Sequence, residues 1–303
     1  MTAAKGLTGD AARQVAAGIR EASGEIEALG ELAAAALTLD AADAPLLVAR
    51  LATPPADRRW TALATDGLDG VVLTSVSTRD PSVGHLDLLA VHPDARGEGR
   101  GRALVAAAEE WLRAEGVTTV RVAGNPPAYA WPGIDVRYTP AACLVESLGY
   151  EREGVAWNMT ADLSCGHSTA DDVERLAAKG VAIHAAEPGD RAAVTAFVRE
   201  EWNESWAWEA EQATGCHYAT RDGEIIGFAA WGARPAWFGP MGTAPAARGL
   251  GVGGVLLRRC LAEMHAAGLS SAQISWVGPL RFYSGAVGAR AERVFWLYRR
   301  DLR

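Results

Sequence analysis

Apolar positions along the chain follow one succession of periods twice. Leu104, Ala107, Ala108, Trp111 and Leu112 recur at helical spacing, and so do Leu256, Leu257, Leu261 and Met264. Each run stops at a glycine, Gly116 and Gly268, the residue best suited to a left-handed helix end. Short β-rich runs precede them at 70–76 and 86–91 in the first copy, and at 224–231 and 237–243 in the second. Further strands are predicted just after the helices, at 118–122 and 272–277, and at the end of each copy, 154–159 and 293–298. Arg221-Asp-Gly223 reads as the turn before 224–231. Strand, glycine loop, helix, strand is a βαβ unit, which predicts parallel strands inside each sheet. The fold class is α/β with a mixed sheet, in two tandem domains.

The repeat fixes the organisation. Arg96 and Arg248 open the two glycine loops, 152 positions apart. Pro93 and Pro245 stand three residues before them. The polar stretch 164–172 reads as a linker, and Thr169 is placed to cap a short helix over 171–179. The expected domains are 1–164 and 181–303, joined by 165–180. The Ala-rich run 32–39 is too short for a membrane span and predicts a buried helix.

Composition narrows the classes. The 303 residues are 49% hydrophobic and 22% charged, with a formal net charge of -8, which argues against a nucleic-acid footprint. Four scattered cysteines, Cys143, Cys165, Cys216 and Cys260, form neither a disulfide framework nor a zinc site. Residues 1–6 carry a lysine with no apolar core after it, so no signal peptide is expected. A soluble cytoplasmic protein, monomer or homodimer, with no metal and no membrane partner is the expectation.

Gly249, Gly251 and Gly254 literally spell G-x-G-x-x-G, the dinucleotide fingerprint. That motif needs an acidic residue about 20 positions on, and 270–273 holds none. The first copy has Arg102 where the second has Gly254. A Walker loop would need Gly-Lys-Ser/Thr, which neither copy has. What the copies share is Arg-x-x-Gly-x-Gly: Arg96, Gly99, Gly101 and Arg248, Gly251, Gly253. Glycines let a backbone approach an anion closely, and the N–H groups of a helix start point at it.

That shared pattern, with the preceding Val-x-Pro-x-x-Arg-Gly at 91–97, resembles motif A of the GNAT superfamily of N-acetyltransferases, over roughly 60–160 and 181–303. The resemblance implies acetyl-CoA as cofactor, held in the second copy by Met241, Thr243, Arg248, Gly249, Gly251, Val252, Gly253 and Gly254. In the first copy it implies Val91, Arg96, Gly97, Gly99, Arg100, Gly101 and Arg102. It also implies a pantetheine arm between two splayed parallel strands, 86–91 with 118–122 and 237–243 with 272–277. Tyr283 matches the family's tyrosine that protonates the departing thiolate, one residue off the usual Tyr-x-x-x-Gly spacing; Ser284 has the strict spacing. The first copy has Val145 there, with Cys143 and Tyr138 nearby but off the pattern. The second half is therefore expected to be catalytic, and the first to bind cofactor only or to serve as scaffold. His85 and Asp87 lie on the first copy's splayed strand, where a base would be useful. The matching strand of the second half has no carboxylate; Glu204 and Glu209, acting through water, are its candidate bases, and an amine that arrives partly neutral would need little help.

Seven of the eleven tryptophans lie in the second half. Trp202, Trp206, Trp208, Trp237 and Trp276, with Glu204 and Glu209, are the candidate acceptor contacts, because aromatic faces near acids suit a sugar ring bearing an ammonium. Trp202 and Trp206, four apart, equally suit a core-facing helical stripe. Segments 129–137, 238–242 and 276–279 are similar to glucosamine or glucosaminide N-acetyltransferases. The alternatives are another small amine, such as a mycothiol precursor or an aminoglycoside, and a non-catalytic acyl-CoA-binding regulator.

Overall fold

The computed structural model describes residues 18–303, so the expectation for residues 1–6 lies outside the described residues. The chain forms two compact units: residues up to 156 with 295–303, and residues 157–294.

Unit 1 begins with β1 (Ile19–Glu21), α1 (Ile26–Ala36) and α2 (Ala44–Leu51), followed by the hairpin strands β2 (Trp60–Thr65) and β3 (Gly70–Val76). Then come β4 (Val83–Val91), α3 (Arg100–Ala114), β5 (Thr119–Val122), the short β6 (Ile134–Asp135), α4 (Thr139–Ser147) and the first half of β7 (Glu151–Asp162). Every residue of β3 is buried, as a central strand covered on both faces requires. One face carries α1 and α2 through Leu29, Ala33, Leu47 and Val48. The other carries α3 through Leu104, Val105, Ala108 and Leu112. The predicted buried helix in the Ala-rich run is α1.

The division does not follow the two sequence halves, because the last strand of the chain, β13 (Arg290–Asp301), completes unit 1. Its residues from Tyr298 to Asp301 pair antiparallel with β5, and Phe295 and Trp296 pair with β6. Phe295 and Tyr298 are fully buried there. Apolar alternation marks such a segment as a strand but carries no information about its partner. At this seam Gly133 cannot be enlarged: a Cβ would stand 2.5 Å from the Trp296 carbonyl oxygen, which is backbone and cannot swing aside. Gly133→Ala is expected to lower stability by about 1–3 kcal/mol, the usual cost of overpacking, measured as a lower urea midpoint at unchanged slope.

Unit 2 takes the second half of β7, then α5 (Ala170–Ala177), β8 (Val181–Ala185), α6 (Arg191–Glu201), α7 (Glu204–Glu211), β9 (Gly215–Arg221) and β10 (Glu224–Trp231). It continues with β11 (Trp237–Thr243), α8 (Val252–Ala266), β12 (Ser271–Ile274) and α9 (Leu280–Val287). Its strand order is β7-β12-β11-β10-β9-β8. The turn between β9 and β10 is the expected one, with Asp222 and Gly223 both at positive φ. The linker helix is α5, starting one residue earlier than expected and ending two earlier; Thr169 sits at its N-cap, but its side chain makes no capping bond. Trp202 and Trp206 do not share a helix. Asn203 accepts a hydrogen bond from the Trp206 N–H and starts α7, leaving Trp202 at the end of α6.

Candidate functional site

Both units contain the expected gap between parallel strands. In unit 1, β4 pairs with β5 only from Val83 to His85, opposite Thr119 to Arg121. β4 then runs on to Val91 against β3 alone. In unit 2, β11 meets β12 only at Trp237 and Phe238.

The glycine loops are near copies. Gly97 and Gly99 have φ of 82° and 85°, and Gly249 and Gly251 have 79° and 90°. Gly99 and Gly251 are the N-caps of α3 and α8. The first intrahelical bonds run from Ala103 N–H to Gly99 O, 3.0 Å, and from Val255 N–H to Gly251 O, 3.3 Å. The preceding N–H groups therefore lack intrahelical acceptors, which is what an anion cradle needs.

Around these matching frames the two sites differ. In unit 1 a cavity of about 650 Å³ opens in the gap, a size typical of small-ligand sites. All seven first-copy cofactor residues, Val91, Arg96, Gly97, Gly99, Arg100, Gly101 and Arg102, line it. So do the end of α1, Asp87, Trp131, Asp135, Arg137, Tyr138 and Leu144. The motif arginine is not idle: Arg96 donates from Nε to Val91 O (3.1 Å) and from a terminal nitrogen to Ala36 O (2.8 Å), tying the loop to the end of α1. Arg100 pairs with Asp69 and Glu98, so the acid at 98 is partly neutralised locally. On the far wall Arg137 grips the buried Asp135 with two bonds of 2.9 and 2.7 Å. The Tyr138 hydroxyl donates to Asp40 and accepts from Leu39 N–H.

Asp87 is placed by a bulge. The β3–β4 register passes from Leu73↔Leu88 to Thr74↔Leu86, leaving Asp87 as the extra residue on β4. Bulges re-aim a side chain out of the ladder, and this one lines the cavity. The Asp87 Oδ1 is buried without a hydrogen-bond partner among the described residues. Burial pushes its carboxyl up to about 7, opposed by the Ser75 hydroxyl and the charge of Arg58. His85, held at Nδ1 by Ala123 O (2.9 Å), is pushed down to about 4 by burial and is neutral at physiological pH.

In unit 2 the position matching Asp87 in the repeat is Gly239, and the β10–β11 register is also irregular there. Apolar groups pack against the start of α8. A Cβ on Gly253 would lie 3.5 Å from both Met241 and Phe282 and 3.6 Å from Thr243. Tyr283 is buried in the main core cluster against Phe238 and Phe282, and burial pushes its hydroxyl up to about 12. The loop itself carries a cation. Arg175 of α5 donates to Leu250 O (2.9 Å) and its guanidinium lies 2.9 Å from where a Gly251 Cβ would be. Asp172 holds both Arg175 and Arg258 in place. Arg248, Gly249 and Gly251 are exposed, Gly253 and Gly254 are half-buried, and Val252 is buried.

The tryptophans of unit 2 are mostly packed. Trp202 and Trp206 stack at 5.8 Å and meet Phe228, and Trp202 covers Gly242. Trp208 and Glu209 are half-buried on α7, and Glu204 is paired with Arg199. Trp237 is buried beneath Arg234, whose guanidinium lies 3.9 Å from the ring centre. Trp276 is exposed, and its backbone N–H donates to Asn158 Oδ1. Arg58, Asn125 and Arg175 carry no distinguishing sequence signal, and each acts through contacts with residues far away in the chain; Asp135 and Arg137 lie in the segment 129–137 singled out above and pair with each other.

The frame and both loops define a class. The model of the acetyltransferase (GNAT) family matches residues 29–131 and again 185–283, and the chain belongs to that family, as a tandem protein. A search of curated proteins by sequence returned no match. Among solved structures, a GCN5-related glucosamine N-acetyltransferase region from a fungal multi-domain GH3 β-N-acetylglucosaminidase is similar at 16% identity and TM-score 0.75, over 93% of this chain. This chain spans only 38% of that protein's length. A GCN5-related N-acetyltransferase from Sphaerobacter thermophilus aligns at 21% identity and TM-score 0.64, covering 94% of this chain and 95% of that one. A tandem GNAT protein from the clavulanic acid biosynthesis pathway aligns at 18% identity and TM-score 0.66, covering 93% and 98%. No described helix is long and apolar enough to cross a membrane.

Proposed function

We propose that the protein is an acetyl-CoA-dependent N-acetyltransferase for a small primary amine, with donor and chemistry in unit 1. The observation that carries this is the cavity itself: the glycine loop borders it, and a buried carboxyl, Asp87, stands in the strand gap. The loop N–H groups and the Arg96 and Arg100 side chains suit a pyrophosphate, and the apolar strand gap suits a pantetheine arm. Asp87 takes a proton from the acceptor ammonium. The neutral amine then attacks the thioester carbonyl and the C–N bond forms; the C–S bond breaks with the pair leaving on sulfur, and the surplus proton of the new amide nitrogen passes to that thiolate, giving the amide and free CoA thiol. A base with its carboxyl near 7 is matched to that task at neutral pH.

For the acceptor, an amino sugar remains the preferred class. Support comes from Trp131 and Asp87 lining one cavity, a pairing of aromatic ring and acid that suits a ring carrying an ammonium, and from the likeness to the fungal glucosamine N-acetyltransferase region. Thiol release on mixing the protein with acetyl-CoA and a panel of glucosamine, chitobiose amines, aminoglycosides and a mycothiol-type precursor tests the class. Release with glucosamine is expected; tight CoA binding with no release for any amine would support the regulatory alternative instead.

A second reading places the chemistry in unit 2, with Tyr283 as the acid. It is favoured by the burial that keeps this hydroxyl protonated up to about pH 12, a state an acid must hold. Tyr283→Phe separates the two. With chemistry in unit 1 its thiol-release rate stays within about twofold of the native one, whereas a loss of a hundredfold, the usual scale for a removed acid, would move the chemistry to unit 2.

A further inference from the structure

Residues 123–133 join β5 to β6 without regular structure, yet Ala123, Gly124, Asn125, Pro127, Ala128 and Ala130 are buried. A buried loop has no ladder to satisfy its carbonyls, so each needs a donor from elsewhere. Side chains supply several of them. The buried guanidinium of Arg58, in the segment before β2, donates to Asn125 O at 2.8 Å, Pro126 O at 2.5 Å and Ala128 O at 2.7 Å. Arg50 of α2 donates to Pro127 O at 3.2 Å. His85 Nδ1 lies 2.9 Å from Ala123 O. Within the segment, Gly124 N–H donates to Pro132 O at 3.0 Å and closes the loop on itself.

Arg58 is the centre of this set. A guanidinium carries five N–H donors in a rigid planar fork, and here the fork meets backbone carbonyls of one short stretch. Its bonds therefore fix backbone position. The same loop supplies a wall of the cavity through Ala123, Ala130, Trp131 and Gly133. The Trp131 ring stacks on Phe295, with centroids 6.1 Å apart and planes 15° apart. The ring is thus held by an aromatic partner and by a backbone latched just upstream at Ala128. Arg58 does not line the cavity. Apart from its charge near Asp87, it reaches the site through this loop.

We propose that Arg58 is a positioning residue for the acceptor: with Arg50 and His85 it latches the loop from Ala123 to Gly133 and so holds the Trp131 face on which the acceptor ring docks. The inference rests on the proposed reaction, with its acceptor between Trp131 and Asp87. The donor lies against other elements, the glycine loop from Gly97 to Arg102, so its binding is independent of the latch.

Initial rates of the full chain, read by thiol release at about pH 9 with the amine the native chain turns over fastest, test it. At about that pH Asp87 is ionised with or without the Arg58 charge. Arg58→Ala leaves three buried carbonyls without their donor. It is expected to raise the KM for the amine about tenfold, with kcat and the KM for acetyl-CoA held within about twofold. Trp131→Ala raises the same KM, and the double variant shows no more than the larger single effect, because both act along one path. If Arg58→Ala does not fold, Arg58→Lys, which keeps the charge and loses the fork, is read the same way with a rise of about threefold. A merely structural role would lower kcat with both KM values unchanged, or raise both together; either result overturns the latch. So does a native KM for the amine in Trp131→Ala, or effects that multiply in the double variant. Native constants in Arg58→Ala overturn the inference alone. No thiol release by the native chain with any amine overturns the proposed reaction and the inference with it.

Discussion

Replacing Asp87 by asparagine is expected to lower kcat for acetyl transfer by about 10²–10⁴-fold, the usual contribution of a positioned base. The KM for acetyl-CoA should stay within about twofold. An amide has nearly the same shape, so the cavity and the glycine loop are undisturbed. The pH dependence carries the sign. Burial raises the Asp87 carboxyl to about 7, so the active, ionised form is populated above that pH and lost below it. The native rate should fall as pH drops through 7. His85, pushed down to about 4, does not titrate in that window and cannot mimic the effect. An asparagine variant with native kcat would remove Asp87 from the chemistry.

Gly99→Val is expected to weaken acetyl-CoA binding at least tenfold by calorimetry, whereas Gly251→Val is expected to leave the tight site intact. Both glycines are N-caps at strongly positive φ, 85° and 90°, where a β-branched residue is strained by about 1–2 kcal/mol. About 1.4 kcal/mol is already tenfold in affinity. The two substitutions carry the same backbone strain, and Gly251→Val also crowds the Arg175 guanidinium, so a larger loss for Gly99→Val reports a donor in unit 1. Unit 1 has the open cavity beside its loop. In unit 2 the matching loop has the Arg175 guanidinium against it. A larger loss for Gly251→Val would place the donor in unit 2.

Much of the fold was legible because it depends on local signals. Helices α3 and α8 announced themselves by apolar spacing and terminal glycines, and the repeat of Arg96 with Arg248 exposed the tandem architecture. The loops' positive φ follows from glycine at Gly99 and Gly251. Less legible were features set by distant partners. The final strand completing unit 1 through Tyr298 is one, since periodicity does not name a neighbour. Trp202 and Trp206 are another: spacing four apart suggested one helical face, but Asn203 breaks the helix between them and the rings meet across the break.

The candidate site was legible in its cofactor loops and obscure in its chemistry. Family spacing drew attention to Tyr283 in the second half. The sequence marks both His85 and Asp87 as possible bases on that strand, and only a bulge in the ladder with β3 explains why Asp87 is the one that lines the cavity. Its raised proton affinity comes from burial, which depends on what packs over it and not on its own sequence neighbourhood. Arg175 lies in what the sequence presents as linker, and its meaning depends on α5 resting beside Gly251. In each case the informative contact joins residues whose sequence neighbourhoods carry no trace of each other.

A crystal structure of the full chain soaked with CoA tests the central claim most directly. The prediction is a CoA whose pyrophosphate lies on the loop from Gly97 to Arg102 and whose sulfur reaches the strand gap beside Asp87. CoA bound at Gly249 to Gly254, with the unit 1 cavity empty, would contradict it.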